Sequence, residues 1–341
     1  MRGDFSEFRE TLLEWFDRQK RALPWREDPG LYRTVVSEFM LQQTRVETVL
    51  PYFERWIRTF PDFPSLARAR EAAVLKQWEG LGYYARARNL HKLARSIVKD
   101  GVPGSPEEWR KRPGIGPYTA AAVSSIAQNQ PEPVIDGNVI RVLARITNDP
   151  RPLQSPAEGY RRYQPLARDL IDPERPGDYN EALMELGATV CRKNRPLCLL
   201  CPVQRHCEAC RRGSPESLPV IKRKTTTRRT VHRLWLVESD RILLHFHPPD
   251  ASRLAGMAEL PELPEPPDSQ PVLTRSRGIS SEHIRESIHP LGTRHPLSRK
   301  CLRRKDCRWV PLRDLPGITL SAPHRRWIEH LLHISSANFS A

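Results

Sequence analysis

Along the first 210 residues, apolar side chains recur at spacings of three and four positions. The opening segment shows this spacing at Phe5, Phe8, Leu12 and Phe16, which predicts one stripe of an amphipathic helix. Similar segments follow, separated by loops that contain Pro and Gly: PSLARAREAAVLKQWEG, NLHKLARSIVKD, PYTAAAVSSIAQ, GNVIRVLARITN and YNEALMELGATVC. The pattern therefore predicts an all-α domain over residues 1–210.

The pattern changes after residue 210. Residues 211–230 are polar and basic without a period, which predicts a linker. Beyond them, apolar residues alternate with period two in HRLWLVES and RILLHFH, which predicts a strand pair with Asp240 and Arg241 in the turn. The stretch SRKCLRRKDCRWVPL would give another pair, and APHRRWIEHLL a final helix. We therefore expect a smaller α+β domain over residues 231–341, so that the chain is multidomain, α then α+β.

Composition and charge favour a polyanionic partner. The chain has 341 residues, a formal net charge of +15 and a pI of about 9.9, and such a cationic excess favours nucleic acid. Its mean hydropathy is −0.59, and no run of about twenty apolar residues occurs, so we expect no membrane span. The first residues include acidic ones and no apolar core, so we expect no signal or transit peptide.

Four of the seven cysteines lie close together, spaced C-x6-C-x2-C-x5-C, at Cys191, Cys198, Cys201 and Cys207. In a reducing compartment such a group indicates a metal site rather than disulfides. The candidates are a four-cysteine zinc site and an iron–sulfur cluster. Structural zinc usually takes two CxxC knuckles, and only Cys198 and Cys201 form one here. The compact loop over residues 191–207 therefore favours an iron–sulfur cluster.

The gaps between these cysteines are filled with basic residues. Arg192, Lys193 and Arg195 would project from a loop that the metal holds rigid, where they could contact phosphates. We expect the remaining thiols to be ordinary, although the first of them is close enough in sequence to be confused with a ligand: they are Cys210, Cys301 and Cys307.

Two further features suggest nucleic-acid chemistry. In RPGIGPYTAAAVSSIA, Gly114 and Gly116 would form a tight turn between two helices, whose backbone N–H groups make an anion site. This is a helix–hairpin–helix signature, although a plain glycine-rich turn would have the same pattern. In VIDGNVIRVLAR, Asp136 precedes another helix, where either a capping or a catalytic aspartate would fit.

In this order, the hairpin, Asp136 and the cysteine loop resemble the endonuclease III superfamily of DNA glycosylases. The blocks LPWR (23–26), SEFMLQQTRVETVLPYFERW (37–56) and WEGLGYYARARNLHKLA (78–94) resemble adenine DNA glycosylases of the MutY type, which remove adenine mispaired with 8-oxoguanine. The resemblance covers roughly residues 8–210. It implies a helix–hairpin–helix glycosylase domain with one [4Fe–4S] cluster. It also implies a smaller Nudix-like domain, whose best matching piece is RILLHFHPPDASRLAGMAELPEL.

Breaking a base–deoxyribose bond requires an acid for the departing base and an anion for the oxocarbenium-like sugar. Glu38 lies among apolar neighbours, where burial would raise its pKa and keep a proton available. The resemblance implies that Glu38 protonates N7 of adenine and that ionised Asp136 stabilises the sugar, with Tyr118 and Asn138 positioning them. Tyr118 occupies the position of the lysine in bifunctional relatives. Because a phenol cannot form a Schiff base, we expect a monofunctional enzyme that uses water.

The resemblance also implies a recognition set. The adenine pocket would consist of Trp25, Arg26, Leu41 and Glu181. The DNA and the opposing 8-oxoguanine would contact Gln42, Gln43, Thr44, Leu81 and Tyr83, besides the hairpin glycines and the basic residues of the cysteine loop. In the C-terminal domain, Leu297-Ser298-Arg299 stands where the family has Phe-Ser-His. Ser298 and Arg299 would therefore contact DNA, unless the reader of 8-oxoguanine is His289 or His295.

The expected partner is double-stranded DNA carrying A·8-oxoguanine or A·G mispairs, bound by a cytoplasmic, nucleoid-associated monomer. Two alternatives stay open. One is a thymine or uracil mismatch glycosylase of the same superfamily, although its pocket would need other donors than Arg26 and Glu181. The other is a non-catalytic, damage-sensing DNA-binding protein, which the presence of both Glu38 and Asp136 argues against.

Overall fold

The structure is a computed structural model that describes residues 5–222, 227–248, 250–251, 254–279 and 282–337. The chain forms two compact units. The first consists of Met1–Ala69 and Ala85–Arg223, and the second of Arg70–Tyr84 and Lys224–Ala341. A short internal segment thus belongs to the C-terminal unit, which the sequence pattern does not indicate. No helix in the described part of the chain is long and apolar enough to span a bilayer.

The helices, in chain order, are α1 (Ser6–Gln19), α2 (Pro24–Glu27), α3 (Leu31–Leu41), α4 (Val46–Thr59), α5 (Phe63–Arg68), α6 (Glu71–Trp78), α7 (Ala85–Asp100), α8 (Pro106–Arg110), α9 (Pro117–Gln128), α10 (Gly137–Ile146), α11 (Pro156–Leu170), α12 (Pro176–Thr189), α13 (Glu208–Arg211), α14 (Pro296–Leu302) and α15 (Ala322–Ala337). The strands are β1 (Thr227–Trp235), β2 (Val237–Glu238), β3 (Arg241–Phe246), β4 (Ala258–Glu259), β5 (Leu273–Ile279), β6 (Glu282–Pro290) and β7 (Cys307–Pro311).

The first unit is all-α, as the apolar spacing predicts. In α1, Phe8, Leu12 and Phe16 are buried, and Phe5 is partly buried. They pack in one core with apolar residues of α10, α11 and α12, among them Leu143. Removing a Leu or Phe side chain of this kind from water contributes about 1.5–3 kcal/mol. The core therefore fixes α10 and α12, which carry several of the candidate site residues.

Residues 211–222, which the sequence pattern assigns to a linker, pack on the helical unit. Leu218 is buried, and its carbonyl accepts a hydrogen bond from Arg145 Nε at 3.1 Å. Leu153 and Ile221 form an isolated parallel β-bridge. At the other end, residues 227–230 already belong to β1. Isolated apolar residues such as Leu218 give no periodic signal, so a segment of this kind is read as linker until its contacts are known.

The second unit contains two sheets around a common core. One sheet has the order β1-β6-β5, with β1 parallel to β6 and β5 antiparallel to it. In the other, β3 pairs with β2, β4 and β7. The core combines apolar residues of both sheets with Ile328 and Leu331 of α15. This arrangement agrees with the expected α+β character and final helix.

Two details of the predicted strands are wrong. Only the end of the first predicted hairpin forms, where Val237 pairs with Ile242 and Glu238 with Arg241. Most of the preceding strand, β1, pairs with the distant β6, because its alternating apolar face fits either neighbour. The second predicted pair is a helix followed by a strand, α14 and β7. His295 begins α14 by accepting a hydrogen bond from the Leu297 N–H, and Pro296 occupies its first turn.

We expect Gly177→Ala to destabilise the protein, although alanine usually stabilises a helix. A β-carbon at Gly177 would lie 2.8 Å from the Ser125 carbonyl oxygen and 3.0 Å from Ile126 Cα. Because backbone atoms cannot yield like a flexible side chain, the expected loss is about 1–3 kcal/mol. The matched control is Gly104→Ala, whose nearest heavy atom would be 3.7 Å away. Equal midpoints for the two variants in thermal unfolding would contradict the close approach of α9 and α12.

Candidate active site

Glu38 is a buried carboxyl group in the middle of α3. Its Oε2 atom has no hydrogen-bond partner within the described residues. Burial raises the pKa of Glu38 to about 7, and the nearby Glu181 and Asp136 carboxylates act in the same direction. The Tyr118 phenol and Arg26 oppose that rise. A carboxylic acid with an unengaged oxygen can therefore persist near neutral pH, as the sequence predicted.

Asp136 caps the N-terminus of α10 and, unlike in Glu38, both of its carboxylate oxygens accept hydrogen bonds. Its Oδ1 accepts a hydrogen bond from the Val139 N–H at 2.7 Å, and its Oδ2 accepts one from Asn138 Nδ2 at 3.0 Å. Burial raises the pKa of Asp136, whereas these hydrogen bonds and the charge of Arg141 favour the anion. The capping interpretation of Asp136 is thus confirmed, and it is compatible with the predicted catalytic role, since one carboxylate can serve both.

Tyr118, on α9, completes this group. Its hydroxyl donates a weak hydrogen bond to Met184 Sδ at 3.5 Å. Burial raises the pKa of Tyr118 well above its usual value, and the Glu38 and Asp136 carboxylates raise it further, so the phenol stays neutral. The structure therefore brings the predicted catalytic residues together from three separate helices, α3, α9 and α10.

The predicted adenine-binding pair is present, but its members bind each other. Arg26 Nε donates to Glu181 Oε1 at 2.7 Å, and Arg26 Nη1 donates to Glu185 Oε2 at 3.1 Å. Arg21 forms two further hydrogen bonds with Glu185. Arg26 Nη2 and Glu181 Oε2 have no hydrogen bond within the described residues. Sequence reasoning missed Arg21 and Glu185, which give no motif signal because their role depends on this contact.

The two apolar residues predicted for the adenine pocket differ in environment. Trp25 is buried and packs edge-on against Phe53, with ring centroids 5.1 Å apart. Leu41 is half-buried at the C-terminal end of α3. Leu41 is therefore accessible at the end of the helix that carries Glu38, whereas Trp25 is mainly part of the core.

The turn after α3 carries three predicted DNA contacts. Gln42 Nε2 donates to Thr119 Oγ1 at 3.2 Å, and Gln43 is exposed with φ of 57°. Arg86, which sequence reasoning missed, is buried behind this turn. Its Nη1 donates to the carbonyls of residues 39, 40 and 42, and its Nη2 donates to Thr44 Oγ1 at 3.2 Å. A buried guanidinium thus orders the backbone that presents these side chains.

The hairpin glycines are used differently. Gly114 has φ of +75°, and a β-carbon there would lie 2.5 Å from Asn89 Cβ. Gly116 precedes α9 with ordinary backbone angles and has open space around it. Only position 114 therefore requires glycine, both for its backbone conformation and for lack of space. At position 116 the absence of a side chain leaves the N-terminus of α9 unobstructed.

The four predicted metal ligands line one small cavity, and Cys210 lines it as well. Arg145 Nη1 donates to Cys191 Sγ at 3.2 Å. Burial, together with the neighbouring Cys210 thiol, raises the pKa of Cys198 to about 11. Across the described residues, no three ligating side chains have the geometry of a bound ion. The convergence of thiols nevertheless fits a thiophilic metal centre, which would deprotonate them on binding.

Arginines of α10 connect the cysteine loop to Asp136, a feature that the sequence did not reveal. Arg141 Nη2 donates to Asn138 Oδ1 at 2.8 Å, and Arg141 Nε donates to the Cys191 carbonyl at 2.9 Å. Arg145 is fully buried and donates to the carbonyls of residues 191, 192, 193 and 218. The basic residues of the loop are exposed: Arg192, Lys193 and Arg195.

Several predicted contacts lie in the second unit. Tyr83 is 56% exposed with φ of 48°, whereas Leu81 is buried and so cannot contact a base in this conformation. Ser298 is also completely buried, and its hydroxyl has no hydrogen-bond partner within the described residues. The assignment of Ser298 as a DNA contact is therefore wrong for this conformation, because α14 turns it into the core.

The remaining candidates around α14 differ in exposure. Arg299 is exposed. His289 is buried and hydrogen-bonded to His232 at 3.0 Å. His295 is half-buried and caps α14. Arg299 is therefore the one of these three whose side chain is freely accessible.

Comparison with known proteins finds similarity to DNA repair proteins. Residues 36–162 match the family described as HhH-GPD superfamily base excision DNA repair protein. The adenine DNA glycosylase of Rattus norvegicus is 46% identical over 232 residues, covering 64% of this chain and 45% of that protein. The adenine DNA glycosylase of Mycobacterium tuberculosis is 42% identical over 198 residues, covering 57% and 64%. The chain thus spans about half the length of the curated relatives it matches.

Solved structures show the same fold at lower identity. The structure of a thermostable thymine-DNA glycosylase is 24% identical with a TM-score of 0.55, covering 61% of this chain and 97% of that chain. A non-covalent endonuclease III–DNA complex is 20% identical with a TM-score of 0.50, covering 62% and 98%. Residues 36–162 thus match the HhH-GPD superfamily model, and the chain is similar to adenine DNA glycosylases over the segments that these relatives share with it.

Proposed function

We propose that the protein is a monofunctional DNA glycosylase that hydrolyses the N-glycosidic bond of adenine mispaired with 8-oxoguanine or guanine. The observation that carries the proposal is the pairing of two carboxyl groups in different environments. Glu38 is buried with its pKa raised to about 7, and Asp136 is held by two hydrogen bonds. Environments that separate two carboxyl groups in this way assign one as acid and the other as anion.

In the proposed reaction, the deoxyadenosine nucleotide leaves the base stack before cleavage. Glu38 then donates its proton to N7 of adenine, so the base departs as a neutral molecule. Its unengaged Oε2 is the atom available for this transfer. Arg26 and Glu181 would orient the base through the atoms that their mutual ion pair leaves available.

Asp136 stabilises the positive charge that develops on the sugar, because its carboxylate is fixed before the reaction and needs no reorganisation. Water then attacks the anomeric carbon and the proton from water passes to solvent, leaving an abasic site. Tyr118 stays neutral beside Glu38. A phenol cannot take the place of the amine in a Schiff base, so we propose that no strand cleavage accompanies base loss.

Base release on four duplexes tests the assignment. Single-turnover excision from A·8-oxoguanine and A·G, with none from T·G or U·G, would support it. The mismatch alternative has no specific support, because the likeness to the thymine-DNA glycosylase structure extends to the fold alone. Binding without release from any of the four duplexes would favour a damage-sensing protein instead.

We further propose one [4Fe–4S] cluster on Cys191, Cys198, Cys201 and Cys207, which would serve to hold the loop rather than to transfer electrons. The donor chemistry supports it, since thiols converge on one cavity beside a buried guanidinium. We also propose a Nudix-like recognition role for the second unit, a monomeric state and a cytoplasmic, nucleoid-associated location. Their support is the sequence resemblance and the cationic charge.

Asp136→Asn should leave DNA affinity near the wild-type value and slow excision by at least about 100-fold. The carboxylate supplies charge mainly in the transition state, so its loss should affect rate rather than binding. The measurements are single-turnover base release and the dissociation constant for the A·8-oxoguanine duplex. Asp169→Asn, the same change at an exposed position, is the control. Excision near the wild-type rate in Asp136→Asn would mean that another carboxylate stabilises the sugar cation.

The excision rate should fall as pH rises through about 7. Burial raises the pKa of Glu38 to about 7, so the proton-donating form is lost above that pH, by about tenfold for each further unit. Glu38→Gln should remove excision, because an amide is not an acid. Exposed Glu47→Gln should keep both the rate and the profile. Residual excision by Glu38→Gln with an unchanged pH profile would assign the titration to another group.

Cys198→Ser should lose the metal and much of the DNA affinity. The purified wild-type protein should be yellow-brown, with about four irons per chain. Because Cys210 lies in the same cavity, Cys210→Ser is the informative control and should retain both iron and colour. A colourless wild-type protein with one zinc, or iron lost from Cys210→Ser alone, would overturn the ligand assignment.

A further inference from the structure

One face of the β1-β6-β5 sheet in the second unit carries polar side chains in three rows. Strand register places the members of each row side by side across the three strands, with β6 in the middle. The rows are Arg228, His283 and Gly278; Thr230, Arg285 and Ser276; and His232, Ser287 and Thr274. None of these nine described positions is acidic or carries Phe, Tyr or Trp.

The opposite face of the same sheet has the reverse character. There Arg229 pairs with Glu262 at 2.7 Å, and Arg233 pairs with Glu286 at 2.8 Å. Its apolar residues belong to the core. On the opposite face Arg233 is therefore neutralised by a buried carboxylate, whereas Arg228 and Arg285 on the polar face have no ion-pair partner within the described residues.

The polar face has two accessible arginines and an accessible histidine. Arg228, His283 and Arg285 are exposed, and within the described residues neither arginine forms an ion pair. They line a surface depression of about 670 Å³ together with Thr230, Thr274 and Ser276 of the same face. Arg229 and Arg275, which register places on the opposite face, also line it. Arg285 lies between the hydroxyls of Thr230 and Ser276. Guanidinium and hydroxyl groups are the side chains that commonly contact phosphate oxygens.

We propose that this face binds the phosphodiester backbone of duplex DNA. The inference rests on the proposed function, because it assigns a further contact surface for the same substrate. Successive rows lie about 7 Å apart along the strands, so the cations are spread over a face rather than converging on one point, as a small anion would require. The nine positions include no Phe, Tyr or Trp, so the face lacks the large rings on which successive unpaired bases stack, which favours a duplex over a single strand.

The test is the salt dependence of DNA binding by the full chain. Arg228→Ala combined with Arg285→Ala should weaken binding of the A·8-oxoguanine duplex at low salt. The slope of log affinity against log salt should become smaller by about two, since each phosphate contact contributes about 0.9. The matched control replaces Arg241 and Arg308, exposed strand arginines of the other sheet, by Ala. Those two stack on Trp309 and Phe246 and should leave the slope unchanged.

Two further variants separate charge from folding. Replacing both Arg228 and Arg285 by Lys should retain most of the slope, and replacing both by Gln should reproduce the Ala result if the Ala variant misfolds. The single-turnover excision rate at saturating enzyme should stay at the wild-type value in every variant. A slope equal to that of the control overturns the inference. Absence of excision by the wild-type protein would instead refute the proposed function. The salt dependence of DNA binding would still test the proposed binding face.

Competition with pyrophosphate at constant ionic strength distinguishes a small-anion site. We expect pyrophosphate to displace the duplex equally poorly from wild type and from the doubly substituted protein. Displacement from wild type alone would show that the depression is a site for a small phosphorylated molecule, and would overturn the assignment to duplex DNA.

Discussion

Burial of the Glu38 carboxyl group is the constraint on which the rest of the site depends. An isolated carboxylate is costly to remove from water, so the group keeps its proton near neutral pH. That environment exists only when α3, α9 and α10 have packed, since Tyr118 and Asp136 come from the last two of these. The raised pKa of the proposed catalytic acid thus results from helix packing, and its burial lowers the stability of the helical unit.

Asp136 shows how the same fold keeps a second carboxylate in a different state. The cap of α10 aims the Val139 N–H at one oxygen, and Asn138 holds the other. Arg141 in turn holds Asn138 and the backbone of Cys191. Buried arginines therefore tie the anionic end of the site to the cysteine loop, and Arg86 serves the turn after α3 in a similar way. Their hydrogen bonds satisfy carbonyls that the irregular backbone leaves unpaired.

In the second unit, a sheet rather than a helix end separates charges. Alternation of side chains sends Arg233 inward to Glu286 and sends Arg285 outward to solvent. The inward ions are neutralised within the unit. The outward arginines Arg228 and Arg285 have no ion-pair partner within the described residues. In a chain with a net charge of +15, they create a local positive potential that would attract a polyanion.

The sequence by itself predicted the helical unit, the α+β character of the second unit and the residues of the proposed catalytic group. Periodicity and long motif blocks such as SEFMLQQT depend on local spacing, which survives without coordinates. Tertiary structure decided the pairing of β1 with β6, the burial of Ser298 and the mutual ion pair of Arg26 and Glu181. These depend on contacts between residues far apart in the chain, and an alternating strand or a lone serine carries no signal of which neighbour it will meet.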